Sequence, residues 1–108
     1  MEDQAKHASH PKILEQFRPH IAQVLKALGH PLRLQIVEIL ARGEACVKTI
    51  EKESKASQSS VSQQMTVLRN AGVVSVRREA NRRYYSLANP ELVRLLQCLE
   101  KCQSKCSQ

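Results

Sequence analysis

The chain has 108 residues, enough for one domain with a modest core. Apolar residues make up 42% of it but aromatics only 3%, so the core is expected to be aliphatic, and no run approaches the roughly 20 apolar residues of a membrane-spanning helix. A net charge of +7 favours a polyanionic partner, nucleic acid above all.

The opening MEDQAKHASH lacks the apolar stretch of a secretory signal, so the expected location is the cytoplasm, with the thiols kept reduced and no disulfide scaffold. There is no CxxC pair, which argues against a zinc ribbon and against a thiol oxidoreductase. The three glycines, Gly29, Gly43 and Gly72, all sit where elements should end, so no glycine-rich phosphate loop exists. No nucleophile, base and orienting acid stand out as a group. The chain is not expected to be an enzyme.

Residues 1–10 read as a flexible polar arm, residues 11–103 as one domain, and residues 104–108 as a flexible cysteine-containing tail. His10-Pro11 is a candidate helix entry. Leu14, Phe17, Ile21, Val24 and Leu28 then repeat at three- and four-residue steps, the stripe of an amphipathic helix. Pro19 should kink that helix or split it. Pro31 suits the first turn of a second helix, whose buried face is Leu32, Ile36, Ile39 and Leu40, with Gly43 closing it. CVKTIEKESKA is a short third helix with Val47 and Ile50 facing in.

Ser57 reads as the N-cap of a strong helix, SQSSVSQQMTVLRNAG, with Val61, Met65 and Leu68 inward and Gly72 as its stop. After Gly72 the period changes. VVSVRREANRRYYSLA reads as two strands joined near Ala80-Asn81, where the asparagine tolerates a left-handed conformation. Asn89-Pro90 opens a last helix, PELVRLLQCLEKCQ. The fold class is mostly α with a small β-hairpin.

The outer face of the 58–71 helix carries Ser59, Ser62, Gln63, Thr66 and Asn70. A merely solvated helix favours Glu and Lys, which cost less helix propensity. Short neutral donors and acceptors suit the major groove, and Gln58 and Gln63 have amides able to read adenine. A short helix and tight turn lie just before this helix, as a helix-turn-helix requires. A hairpin rich in arginine lies just after it. Together they form a winged helix-turn-helix, with Arg82 and Arg83 near the tip of the wing meeting phosphate or the minor groove. The expected DNA-binding set is Ser57, Gln58, Ser59, Ser62, Gln63, Thr66, Arg69, Arg77, Arg82 and Arg83. A plain polar helix face and a solvated strand pair remain the simpler alternatives.

ALGHPLRLQIVEIL, SQSSVSQQMTVLRNAGVV and VRREANRRYYSL, in that order, resemble the successive signatures of the ArsR/SmtB repressors over roughly residues 22 to 100. The resemblance implies a homodimer built from the first and last helices, an inverted-repeat operator in double-stranded DNA, and release by an inducer. It implies DNA contacts at Gln58, Ser59, Ser62 and Gln63. In the helix before the turn, Glu51, Ser54 and Lys55 stand where the family usually has Ala, Leu and Gly, so that helix is expected to pack less well.

The sensor is less conventional. The last helix contains neither Asp nor His, so the family's zinc-type site there is absent. In GEACVKTI, Cys46 matches the first cysteine of a family metal motif and Lys48 replaces the second. Glu38 stands where redox- or persulfide-sensing members have a cysteine. What remains is Cys46 with Cys98, Cys102 and Cys106, spaced by four. No cofactor is required, but arsenite, As(III), or a soft divalent metal suits thiolates as inducer. A thiol-redox or persulfide switch and a ligand-independent regulator stay open. Leu92, Leu95, Leu99, Cys102 and Cys106 also lie on one stripe, so cysteines there could instead extend a dimer seam. His7 and His10 could reach a metal from the arm, against the simpler reading of an uncoordinated tail.

Overall fold

A computed structural model describes the backbone of residues 12–106 and the side chains of residues 15–102. The arm at 1–10 with His7 and His10, the entry at His10-Pro11, the Leu14 side chain, the Cys106 side chain and residues 107–108 lie outside what is described.

Five helices and one hairpin follow in order: α1 (Lys12–Leu28), α2 (Pro31–Ala41), α3 (Val47–Ser54), α4 (Gln58–Asn70), β1 (Val74–Glu79), β2 (Arg82–Leu87) and α5 (Leu92–Cys106). Helix α1 runs unbroken through Pro19. A proline removes one bond, here to the carbonyl of Glu15, and residues 15–20 are exposed, so water can take that carbonyl. The chain then turns at Gly29. His30 caps α2, its Nδ1 accepting from Leu32 N at 3.1 Å, and Pro31 fills the first helical position.

The core is aliphatic, as expected. Ile36, Ile50, Met65, Leu68, Val37 and Val61 are its largest fully buried side chains. Val37 joins the α2 face, while Leu32 is only half-buried. Helix α3 is better anchored than its composition suggests. Ile50 is fully buried and Val47 packs against the core. Lys55, where the resemblance has glycine, ends α3 in the left-handed region at φ 61° and donates its N–H to Glu51 O at 2.9 Å. Ser54 Oγ accepts from Ala56 N at 3.3 Å in the turn before α4.

The two strands pair antiparallel, from Val74 opposite Leu87 to Glu79 opposite Arg82. The loop is Ala80-Asn81, but the left-handed residue is Ala80, at φ 57°, and not the asparagine. A two-residue hairpin of the II′ class needs positive φ at its first loop position, and the register assigns that position to Ala80. A third short segment joins the sheet: Ala45 N donates to Tyr85 O at 3.0 Å and Tyr85 N to Ala45 O at 2.8 Å. The hairpin is thereby stitched to the α2–α3 connection.

Helix α5 begins two residues later than Pro90. Glu91 N donates to Asn89 Oδ1 at 3.0 Å and Leu92 N to Asn89 O at 3.1 Å, a tight turn that precedes the helix proper. Leu92 and Leu96 lean on the core, while Leu95 and Leu99 are exposed.

Candidate nucleic-acid interface

Helix α4 is held rigidly from below and left open above. Val61, Met65 and Leu68 anchor its inner face. Arg33 adds a cross-brace: its Nε donates to Ala27 O at 2.6 Å and its Nη1 to Gln64 Oε1 at 2.7 Å. One side chain of α2 therefore ties the end of α1 to α4. Sequence periodicity gave no sign of this, because the partners lie 31 positions apart for Gln64.

Ser57 caps α4, its Oγ accepting from Ser60 N at 3.1 Å. Gln58, Ser59, Ser62 and Gln63 are exposed, and their side chains make no hydrogen bond to any other described residue. Thr66 is exposed too, with Oγ1 donating back to Ser62 O at 3.0 Å. Arg69 is exposed in the last turn, where its charge suits the helix dipole. These side chains lie on one exposed face of α4.

The wing arginines divide into two groups. Arg82 and Arg83 are exposed beside the tip and form no ion pair with any described residue. Arg77 is engaged: Nε and Nη2 donate to Glu44 at 2.7 and 2.8 Å, Nη1 donates to Glu79, and the guanidinium lies 4.8 Å from the centroid of the Tyr84 ring. Hydrogen bonding to Glu44 and Glu79 raises its already high pKa further. Arg77 is in the DNA-binding set expected from the sequence; in the fold it braces β1 against the α2–α3 loop. Lys48 and Lys52, on the exposed side of α3 near Gln58, are additional basic groups outside the set expected from the sequence.

The cysteines occupy two separate regions. Cys46 is half-buried at the N-cap of α3, with Sγ 3.6 Å from Thr49 Oγ1. It is not a core residue. The Thr49 hydroxyl, with the amides of Thr49 and Lys48, lowers its pKa below the ordinary thiol value, against a smaller opposing effect of burial. Cys98 and Cys102 are exposed one turn apart on α5. Among the described residues, no three His, Cys, Asp or Glu side chains gather where they could hold a metal ion, so Cys46 does not complete a site with Cys98 and Cys102 in one chain. No helix among them is long and apolar enough to cross a membrane.

The profile of the bacterial regulatory proteins of the arsR family matches residues 30–76, from the cap of α2 into β1. The biofilm growth-associated repressor of Agrobacterium fabrum is 41% identical over 86 residues, covering 80% of this chain and 74% of that protein. Among solved structures, a homodimeric winged helix-turn-helix DNA-binding domain from Mycobacterium bovis superposes with a TM-score of 0.76 at 30% identity, covering 91% of each chain. The transcriptional repressor BigR from Xylella fastidiosa superposes at 0.74 with 33% identity, over 84% of this chain and 93% of that one. Helix order, wing and reading helix agree with these matches, and the chain belongs to the ArsR family, a class of DNA-binding transcriptional regulators and not of enzymes.

Proposed function

We propose that the protein is a homodimeric transcriptional repressor that occupies an inverted-repeat operator and leaves it when an inducer loads its cysteines. The observation that carries this reading is the open neutral face of α4, Gln58 to Thr66, with two wing arginines that pair with no described residue. Repressors and a homodimer among its relatives support it.

Dimerisation is supported by apolar surface that no other described residue covers. Phe17, Ile21 and Leu25 on α1 and Leu95 and Leu99 on α5 are between 38% and 55% exposed. Apolar residues recurring on two helices in this way mark an association surface. Two-fold pairing through α1 and α5 sets two reading helices for the two halves of a palindrome.

For the inducer we favour arsenite or another soft metal ion at α5. Cys98 and Cys102 lie four residues apart, about 5–6 Å at Cβ on a helix, and both are exposed. A third thiolate for trigonal As(III) would come from Cys106, and only with the helix end bent or frayed, because residues eight apart on an intact helix stand about 12 Å apart. A redox reading is favoured by one different observation, the lowered pKa of Cys46, since the thiolate is the reactive form.

The test is operator binding by the reduced protein with and without arsenite, cadmium, zinc, peroxide and persulfide. Release by arsenite that is lost in Cys98→Ser and Cys102→Ser supports the metalloid reading. Release only by peroxide or persulfide, lost in Cys46→Ser, transfers sensing to that thiol. Binding indifferent to all five makes the protein a ligand-independent regulator.

A further inference from the structure

Two clefts flank the first turns of α3. One, of about 420 Å3, is lined by Cys46, Val47 and Lys48 from the α3 side and by Asn81, Arg82 and Arg83 from the hairpin. The other, of about 380 Å3, is lined by Lys48, Glu51, Lys52 and Gln58, the first residue of α4. Lys48 belongs to both, so its side chain stands between the start of the reading helix and the tip of the wing. Lys48, Arg82 and Arg83 are exposed and form no ion pair with any described residue, and no carboxylate lines the cleft they share.

We propose that this cleft between α3 and the hairpin seats a phosphate of the DNA backbone, with Lys48 closing on it from one side and Arg82 and Arg83 from the other. The inference rests on the DNA-binding reading above and adds Lys48 as the contact that joins reading helix to wing. Three like charges around one opening repel each other until an anion enters, and a phosphodiester supplies one negative charge with several acceptor oxygens. The start of α3, the positive end of its dipole, lines the same cleft through Cys46 and Val47. Glu51, half-buried in the neighbouring cleft between Lys48 and Lys52, leaves the Lys48 side of α3 as the more favourable place for that anion. At this position the lysine replaces a residue that the resemblance makes a metal ligand, so the N-terminal turn of α3 has the chemistry of an anion site here and not of a metal site. The contact is to backbone, so it carries no base preference.

The test compares wild type, Lys48→Gln and Lys48→Arg on a duplex selected from a random pool by the wild-type protein and on an unrelated duplex of equal length, across a salt series. Expected for Lys48→Gln is the same fold-loss on both duplexes and a salt slope shallower by about 1 per protomer. Lys48→Arg should bind with the wild-type slope. An unchanged slope for Lys48→Gln, or a loss confined to the selected duplex, overturns the phosphate seat while leaving DNA binding intact. Failure of the wild type to bind either duplex overturns both.

Discussion

Arg77 and Glu44 meet across 33 positions of sequence in a two-pronged pair, with Nε and Nη2 of the guanidinium donating to the two carboxylate oxygens at 2.7 and 2.8 Å. The pair runs parallel to the Ala45–Tyr85 backbone bridge. Side chain and main chain together hold the hairpin to the segment that enters α3. The wing is therefore not a free flap; residues 44 and 45 tie it to the loop that enters α3.

Replacing Arg77 by Gln should loosen the hairpin without removing a phosphate contact. Hydrogen exchange at the amides of Ala45 and Tyr85 should quicken, and operator affinity should fall, but the salt dependence of binding should keep its slope. Arg82→Gln should do the opposite, leaving exchange unchanged and flattening the slope by about 1 per protomer. A flattened slope for Arg77→Gln would show that its guanidinium reaches DNA after all.

The Arg77 guanidinium beside Glu44 holds that carboxyl below its ordinary value of 4.5. The folded pKa thus lies below the unfolded one, so the pair's contribution is fully present above the ordinary carboxylate range and is lost as pH falls through the lowered value. Carboxyl NMR should find Glu44 titrating below 4.5, and returning towards that value in Arg77→Gln. A Glu44 midpoint indifferent to Arg77 contradicts the clamp.

Stability and binding should separate by helix face. Ile50 and Leu68 are 0% exposed, and truncating either to Ala should cost about 2–5 kcal/mol, a large share of the roughly 5–15 kcal/mol typical of a domain. Lys55 holds a left-handed conformation that costs a side-chain-bearing residue about 1–2 kcal/mol. Glycine gives back part of that relief in the unfolded chain, so Lys55→Gly should raise stability by up to about 1 kcal/mol. Urea denaturation of the three variants measures both effects, and a destabilised Lys55→Gly would mean that its side chain makes contacts worth more than the strain.

Much of this was legible in the chain. The cap at Ser57, the first-turn proline Pro31, the inward triplet Val61, Met65 and Leu68, and the change of period after Gly72 are local signals, and the helices and hairpin follow them. What could not be read was long-range. The Arg33 brace, the Ala45 bridge and the Glu44 clamp join residues far apart in sequence, and no periodicity encodes them. Arg77 was grouped with the DNA contacts because composition counts charges but not their partners. Asparagine has the higher left-handed propensity, so sequence points to Asn81, whereas the hairpin register gives the positive φ to Ala80. The chain offers Cys46 as a sensor candidate without a location, and only the fold puts it at a helix cap lining the wing cleft.

The exposed apolar faces of α1 and α5 make a further demand. Leu99, at 55% exposure, touches little in its own chain, so Leu99→Glu should leave the fold intact and break the dimer. Sedimentation should then report a monomer with the far-ultraviolet spectrum of the parent. A variant that stays dimeric would remove α5 from the interface.

If the outer face of α4 reads DNA, the double variant Ser62→Ala with Gln63→Ala removes that reading without touching the core. Both side chains are exposed and bond to no other described residue, so the double variant should keep the parent's melting temperature and dimeric state while losing binding to the selected duplex. Unchanged affinity for that duplex, in a folded and dimeric double variant, would contradict the account.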